Sequence, residues 1–395
     1  MKRKRKIVLA YSGGLDTTVA IKWLKDLGYE VIAYMADVGQ GGKITPARKR
    51  ALAAGASKVI VDDLKKEFVE GYIFPALKAG AIYESGYLLA TALSRPLIAK
   101  GLARTARREK AYCAAHGCTG KGNDQVRFEI SLKMLSPGIK IVAPVREWEL
   151  RSRQAEIEYA KKHRLPIDAK KNSPYSIDVN LWGVSIEAGV LEDPWHGAPE
   201  GAYLITRDPS KAPSTGYTAK IYFEEGVPRK LNGKTIAALS LIEKLNEIAG
   251  RYGIGRVDLV ENRLVGIKSR EIYEAPAATV LYAAHEALEN IVLDRETFQF
   301  KKELSLEYGR LIYNGLWYSP LKRAMDGFIA ETQKRVTGEV RLRLTSGNAA
   351  ITGRKSPYSL YHKGLATYGE DDRFDHSLAR GFIELWGMPY TANPK

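Results

Sequence analysis

Cysteine is almost missing from this chain: Cys113 and Cys118 are the only two in 395 residues. Five positions apart, with no further cysteine to join them, they complete neither a disulfide framework nor a zinc site, and a reducing cytoplasmic compartment fits. No apolar run approaches the roughly twenty residues a membrane span needs, so no membrane partner is expected. The basic start, Lys2 to Lys6, leads into the apolar run Ile7 to Tyr11, which is too short for a secretory signal and ends in a glycine turn. Internal repeats and low-complexity tracts are missing as well. Acidic residues are outnumbered, 45 Asp and Glu against 61 Lys and Arg, for a net charge of +16. A surplus of this kind serves a nucleic-acid partner or a solvated surface that attracts anionic small molecules; the solvated surface is the simpler reading, and no nucleic-acid partner is expected.

With 45% hydrophobic and 27% charged residues the composition is that of an ordinary globular protein, and the length predicts two lobes with a cleft between them. The first third repeats an apolar run followed by an amphipathic stretch. Ile7 to Tyr11 precedes a helix bearing Val19, Trp23, Leu24 and Leu27; Val31 to Ala36 precedes one opened by Thr45 and Pro46; Lys58 to Val61, Ala111 to Ala114 and Lys140 to Val145 continue the series. This grammar predicts an α/β fold, an N-terminal doubly wound, mostly parallel sheet with helices on both faces. The polar stretch Lys170 to Pro174 marks a change. Beyond it Ala219, Ile221 and Phe223 alternate with polar residues, Gly226, Val227 and Pro228 turn the chain, and Ile236, Leu241, Leu245 and Ile248 give a helix that Gly250 ends. Further strands at Val257 to Val260 and Glu339 to Leu344 make this second domain α+β. The expected units are 1–168, the α/β domain; 169–365, the α+β domain; and 366–395, a C-terminal segment. In the last, Phe374 to Trp386 forms a short helix whose apolar face, Leu378, Phe382, Leu385 and Trp386, docks on its own domain or on another subunit.

Ser12-Gly13-Gly14-Leu15-Asp16-Thr17-Thr18 sits where the first strand hands over to the first helix. Gly13 and Gly14 let the backbone approach phosphate oxygens, and the helix N-terminus offers free N–H groups and a positive dipole end. Ser12, Thr17 and Thr18 add hydroxyl donors, and Asp16 is an oxygen ligand of the kind Mg2+ accepts. No Lys follows the last glycine, so this is not a Walker A loop; it resembles the PP-loop of ATP pyrophosphatases, which cleave ATP to AMP and pyrophosphate. Further on, three glycines loosen the run His116 to Glu129, and Asn123, Asp124 and Arg127 follow on the first turn of a helix. Asn123 and Arg127 share a face, and an Arg beside an amide and a carboxylate suits a zwitterionic amino acid.

Together with Ser176-Ile177-Asp178, Ser185-Ile186-Glu187, Val260 to Arg263, Ser269 to Tyr273 and Gly353 to Tyr361, these runs closely resemble the argininosuccinate synthase family, in order and at family spacing. The resemblance implies ligation of citrulline to aspartate in arginine biosynthesis, with ATP as co-substrate, Mg2+, a citrullyl-AMP intermediate and a homotetramer. By the same resemblance Ala10, Tyr11, Ser12, Gly13, Gly14, Leu15, Asp16, Thr17, Thr18, Ala36 and Gly117 contact ATP, with Asp16 the metal ligand. Thr119, Asn123 and Asp124 hold aspartate. Tyr87, Asn123, Arg127, Ser176, Ser185, Glu261 and Tyr273 hold citrulline, and Asp16, Asp124 and Arg127 are the expected catalytic set. Which group takes the proton from the aspartate amine stays open between Asp124, a substrate carboxylate and a phosphate oxygen.

One departure stands out. Where the family shows Thr-Ser after Tyr87, this chain has Thr91-Ala92, so a hydroxyl for citrulline is missing. The rival reading, a PP-loop enzyme acting on a tRNA base, lacks its usual catalytic cysteine pair and RNA-binding module here. A regulator that has lost catalysis is disfavoured by the presence of Asp16, Asp124 and Arg127.

Overall fold

Strand β1 (Lys6–Ala10) is an unbroken apolar run buried on both faces, an arrangement that only a parallel sheet covered on each side sustains. The computed structural model describes residues 4–42, 44–84, 86–167 and 174–392. Around β1 lie β2 (Glu30–Asp37), β3 (Lys58–Asp63), β4 (Cys113–His116) and β5 (Lys140–Val142), all parallel, in the order β3-β2-β1-β4-β5. The first crossovers run through α1 (Leu15–Asp26) and α2 (Ile44–Ala53). Next come the short α3 (Lys65–Phe68) and α4 (Phe74–Ala79) and the long α5 (Ala90–Arg108). Helices α6 (Asp124–Leu135), α7 (Pro144–Glu147) and α8 (Arg153–Lys162) complete the lobe. The strand order reverses between β1 and β4, which opens a crevice at their carboxyl ends, where ligands of such sheets bind.

The second lobe carries two antiparallel sheets. One has the order β11-β12-β7-β6, from β6 (Ser176–Asn180), β7 (Gly183–Glu187), β11 (Arg256–Asn262) and β12 (Lys268–Glu274). The other runs β10-β9-β8-β13-β14, from β8 (Tyr217–Glu224), β9 (Val227–Leu231), β10 (Lys234–Thr235), β13 (Gly338–Thr345) and β14 (Asn348–Lys355). The alternation expected at Ala219, Ile221 and Phe223 places those three side chains in the core. Helices α9 (Ala238–Arg251) and α10 (Pro276–Val292) pack on the second of these sheets, α9 on β9 and α10 on β13 and β14, whereas α11 (Arg295–Tyr313) and α12 (Pro320–Gln333) pack on each other and on α4. Beyond α13 (Lys363–Ala366), α14 (Leu378–Thr391) closes the described chain.

Helix α5 belongs to both lobes, since it packs on β1, β2 and β4 and also on β6 and β7. The hairpin between β6 and β7 fastens its start: Asn180 Nδ2 donates to Ala90 O at 2.9 Å and Trp182 Nε1 to Leu88 O at 2.9 Å.

Several expectations need correction. Strand β4 starts two residues later than the apolar run suggested, because Ala111 N caps the end of α5 on Ala106 O and Tyr112 N bonds Lys6 O. Gly250 lies inside α9, where a Cβ would sit 2.4 Å from Ile205 O; Gly253, at φ +70°, follows the helix end. Pro228 lies within β9, and the turn before it falls at Glu225 and Gly226. The expected boundary at 168/169 lies outside the described residues. The C-terminal helix is displaced from Phe374–Trp386 to Leu378–Thr391 and does not dock on its own lobe: Leu378, Phe382, Leu385 and Trp386 are 61–70% exposed.

Candidate active site

The loop after β1 and the segment after β4 meet at the crevice. A Cβ on Gly117 would stand 2.7 Å from Thr17 Cγ2, so the two loops touch. Ala10 ends β1, Leu15 opens α1, and Ala36 stands near the end of β2, its carbonyl accepting from Gln40 Nε2 at 2.6 Å. The two glycines differ in role. Gly13, at φ +82°, would drive a Cβ to 2.6 Å from Ala47 Cβ, so this residue must be small for α2 to approach, whereas Gly14 has only Ser12 Oγ near it and keeps the open side clear. Thr18 is turned inward: its hydroxyl donates to Gly14 O at 2.7 Å and pairs with the Tyr11 hydroxyl at 3.1 Å. Thr17 is likewise buried against Ser12 Oγ at 3.2 Å. The hydroxyls expected to face phosphate therefore brace the loop, and only Ser12 is exposed.

Asp16 stands beside Glu156 of α8. Burial, together with the Asp16 carboxyl, pushes Glu156 up to about 8, and one Glu156 oxygen is buried without a hydrogen-bond partner. Two carboxyls one beside the other, adjoining the loop, are a donor set that fits a hard divalent cation.

Past β4, Thr119 is exposed, and Asn123 reaches across to the second lobe, its Oδ1 accepting from Leu264 N at 2.9 Å. Asp124 lies between two guanidiniums. Arg95 Nε donates to its Oδ2 at 2.8 Å and Arg127 Nη1 to its Oδ1 at 2.9 Å, while Arg95 Nη2 reaches Asp178 Oδ2 at 2.6 Å. Burial would raise the Asp124 carboxyl, but the charges of Arg95 and Arg127 outweigh it and hold the group below its ordinary range. Arg127 also donates from Nε to Tyr313 O at 2.9 Å, and its Nη2 is buried with no partner.

The second lobe supplies a facing wall. Tyr273 on β12 pairs with Ser185 on β7, and Ser185 with Asp178 on β6, so the three stand abreast. Two-residue alternation adds Glu271, Glu187 and Ser176 to the same face. Glu261 is buried and accepts from both Tyr273 and Tyr313 hydroxyls at 2.6 Å. Tyr87 stacks on Tyr273 with ring centroids 4.1 Å apart, and its hydroxyl accepts from Ala92 N at 3.1 Å. Arg263 bridges Glu187 and Glu271, and burial together with the charge of Glu261 pushes Glu271 up to about 8. Leu89, just before α5, has φ +64°, a conformation costing on the order of 1–3 kcal/mol in a side-chain-bearing residue. It is held by the hydrogen bonds to its neighbours Leu88 and Ala90 and reverses the chain so that Tyr87 meets Ala92. At the missing serine, Ala92 is fully buried, and the adjacent Thr91 hydroxyl pairs with Ser185 Oγ at 2.9 Å.

The structure thus gathers Tyr87, Asp124, Arg127, Ser185, Glu261 and Tyr273 between the lobes. Ser176, at the head of β6, is exposed on the same face. Sequence reasoning missed Arg95, Asp178, Tyr313 and Glu156. Two of these had a signal: Arg95 lies three residues past Ala92, and Asp178 ends the Ser-Ile-Asp run. Tyr313 had none.

Comparison with known proteins identifies the family of both lobes. The family model described as the arginosuccinate synthase N-terminal HUP domain matches residues 6–166, and that of the C-terminal domain matches 175–393. A curated protein named argininosuccinate synthase from Pelodictyon phaeoclathratiforme is 55% identical over 386 residues, covering 98% of this chain and 96% of its own. Its namesake from Caldanaerobacter subterraneus is 56% identical over 389 residues, 98% and 95% of the two chains. That from Bacillus licheniformis is 55% identical over 393 residues, 100% and 97%.

Proposed function

Because this chain belongs to the argininosuccinate synthase family, it is an AMP-forming carbon–nitrogen ligase that joins citrulline to aspartate, and we propose how its residues divide that work. The ureido oxygen of citrulline is a poor leaving group, so it first attacks the α-phosphorus of ATP and expels pyrophosphate. The aspartate amine then attacks the ureido carbon of citrullyl-AMP and AMP departs. Alignment of three substrates is a large part of the task.

In our reading ATP lies over the β1/β4 crevice, on residues 10–18 with Ala36 and Gly117, its phosphates against the backbone N–H groups that open α1. Asp16, with Glu156 behind it, would hold Mg2+, which when bound polarises the phosphates and neutralises charge on the departing pyrophosphate. Citrulline lies against Tyr87, Asn123, Arg127, Ser176, Ser185, Glu261 and Tyr273, with the Glu261 carboxylate suited to its ammonium. Aspartate is held by Thr119, Asn123 and Asp124. A carboxylate kept below its ordinary range by two arginines is a weak base, so Asp124 orients the amine and the proton leaves to a phosphate oxygen or a substrate carboxylate. The domain division at 168/169 and a cytoplasmic homotetramer joined through the exposed face of α14 complete the proposal; among the described residues no helix is long and apolar enough to cross a membrane.

The observation that carries the site reading is Arg127 Nη2, a buried cationic donor with no partner, on a side chain that bonds Asp124 of the first lobe and Tyr313 of the second. A substrate carboxylate would satisfy it. The test is pyrophosphate release and mass-spectrometric detection of the condensed product, with citrulline and aspartate added singly and together, for the parent and for Arg127→Met. The expected result is turnover in the parent only when both amino acids are present, and a rise of about tenfold or more in the citrulline KM of the variant, the loss of one charge-assisted hydrogen bond. An unchanged citrulline KM would remove Arg127 from the site.

A further inference from the structure

Helix α2 has no part in the substrate contacts proposed here, yet it forms the rear wall of the residue 12–18 loop. Its Arg50 donates from Nη2 to Gly13 O at 3.1 Å, and its Nε is buried without a partner. The same guanidinium faces the buried Tyr11 hydroxyl, which in turn pairs with Thr18 Oγ1, and Thr18 Oγ1 holds Gly14 O. Both glycine carbonyls of the loop are therefore drawn to the rear. In a planar trans peptide the C=O and the following N–H point in opposite directions. Holding Gly13 O rearward turns Gly14 N–H to the open side, where it meets only Ser12 Oγ at 3.3 Å; holding Gly14 O rearward does the same for Leu15 N–H.

We propose that Arg50 is a positioning residue for the ATP-consuming half-reaction: through the Gly13 carbonyl it aims the loop's N–H groups at the phosphates, and it sets a fixed positive charge behind the anion. A neutral donor would do the first but not the second, and an unsupported carbonyl would be free to turn its negative end toward the phosphates. This rests on the reading that residues 10–18 hold the phosphates of ATP.

The experiment compares Arg50→Met, Arg50→Lys and, in parallel, Gly14→Ala, which adds a methyl group on the open side of the loop. Each full-length variant is assayed for the KM of all three substrates, for binding of inorganic pyrophosphate by calorimetry, and for thermal midpoint. Arg50→Met should raise the ATP KM and weaken pyrophosphate binding by about tenfold or more, the scale of a charge-assisted hydrogen bond, with the citrulline and aspartate KM values within about twofold. Arg50→Lys, which keeps the charge, should recover most of the pyrophosphate affinity. ATP and pyrophosphate values within about twofold of the parent, or equal losses for all three substrates, would overturn the proposal. If Arg50→Met does not fold, Arg50→Gln, a donor without the charge, decides: a selective loss of pyrophosphate affinity of about threefold supports it and no change defeats it. Gly14→Ala separates the two readings, since weakened ATP binding there without an effect at Arg50 defeats only the Arg50 role, while no effect at either defeats the loop assignment.

Discussion

Asp124 is where charges from three elements converge, with Arg95 of α5 on one oxygen, Arg127 of its own helix on the other and Asp178 of β6 beyond. Replacing it with Asn removes the negative charge between two guanidiniums, of which Arg95 keeps Asp178 as an anionic partner while Arg127 is left with none. Asp124→Asn should abolish product formation while the ATP KM stays within about twofold, because the ATP loop lies apart from the pair; steady-state kinetics with each substrate varied will show whether the loss is confined to ligation. At the neighbouring position, Ala92→Ser should lower the citrulline KM and Thr91→Val should raise it by about fivefold, the worth of one neutral hydrogen bond, since the Thr91 hydroxyl is the partner of Ser185. The Glu261 and Glu271 pair carries one part of the pH dependence and Glu156, beside Asp16, another. Burial and mutual repulsion hold the Glu271 proton up to about 8, above the ordinary 4.5. Between those values the folded chain keeps a proton that the unfolded chain has released, so stability falls as pH rises through that window and levels off above it. Thermal midpoints from pH 5 to 9 should show this fall, and Glu271→Gln should make it shallower, leaving the share of Glu156. At this scale the sequence was informative wherever residues sit close together, as in His116 to Glu129. It was silent on Tyr313 and Arg50, whose helices look solvated in sequence and meet the site only through the tertiary fold.

The elements were easier to read than their edges. Five apolar runs announced the parallel sheet, most clearly at β1, β2 and β4, which are covered on both faces; the run at Lys140 to Val145 overshot, since β5 ends at Val142 and Pro144 opens α7. The start of β4 was not legible, since Ala111 is as apolar as the strand that follows but caps α5 instead. Gly250 misled for a related reason: a glycine near a helix end reads as a stop, and only the packed structure shows Ile205 O lying where its side chain would be. Gly13 is the counterpart in the loop. Gly13→Ala places a methyl group 2.6 Å from Ala47 Cβ and requires φ +82°, so α2 or the loop must move. The expected outcome is a lower thermal midpoint, from strain on the order of 1–3 kcal/mol, together with a raised ATP KM. Gly13→Ala combined with Ala47→Gly should recover part of both, and failure to do so would show that backbone conformation rather than contact sets the requirement.

At the level of the whole molecule the exposed apolar face of α14 predicts assembly. Deleting residues 363–395 should lower the solution mass to a smaller oligomer by light scattering, with the site residues of each protomer left in place; an unchanged mass would locate the subunit contact elsewhere. The two-lobe organisation could be read from the change of hydrophobic period near residue 170, but the sharing of α5 could not, because a helix buried on two sides looks in sequence like any long apolar helix. That sharing bears on how the protein is made. The bond from Asn180 to Ala90 joins residues 90 positions apart. A ribosome adding about 5–20 residues per second needs on the order of 5–20 s to deliver the second partner. For the later part of that interval, once β4 and β5 have joined it, the nascent parallel sheet carries α5 with one apolar flank bare until β6 and β7 arrive. Recombinant fragments stopping before β6 will carry the same bare flank permanently.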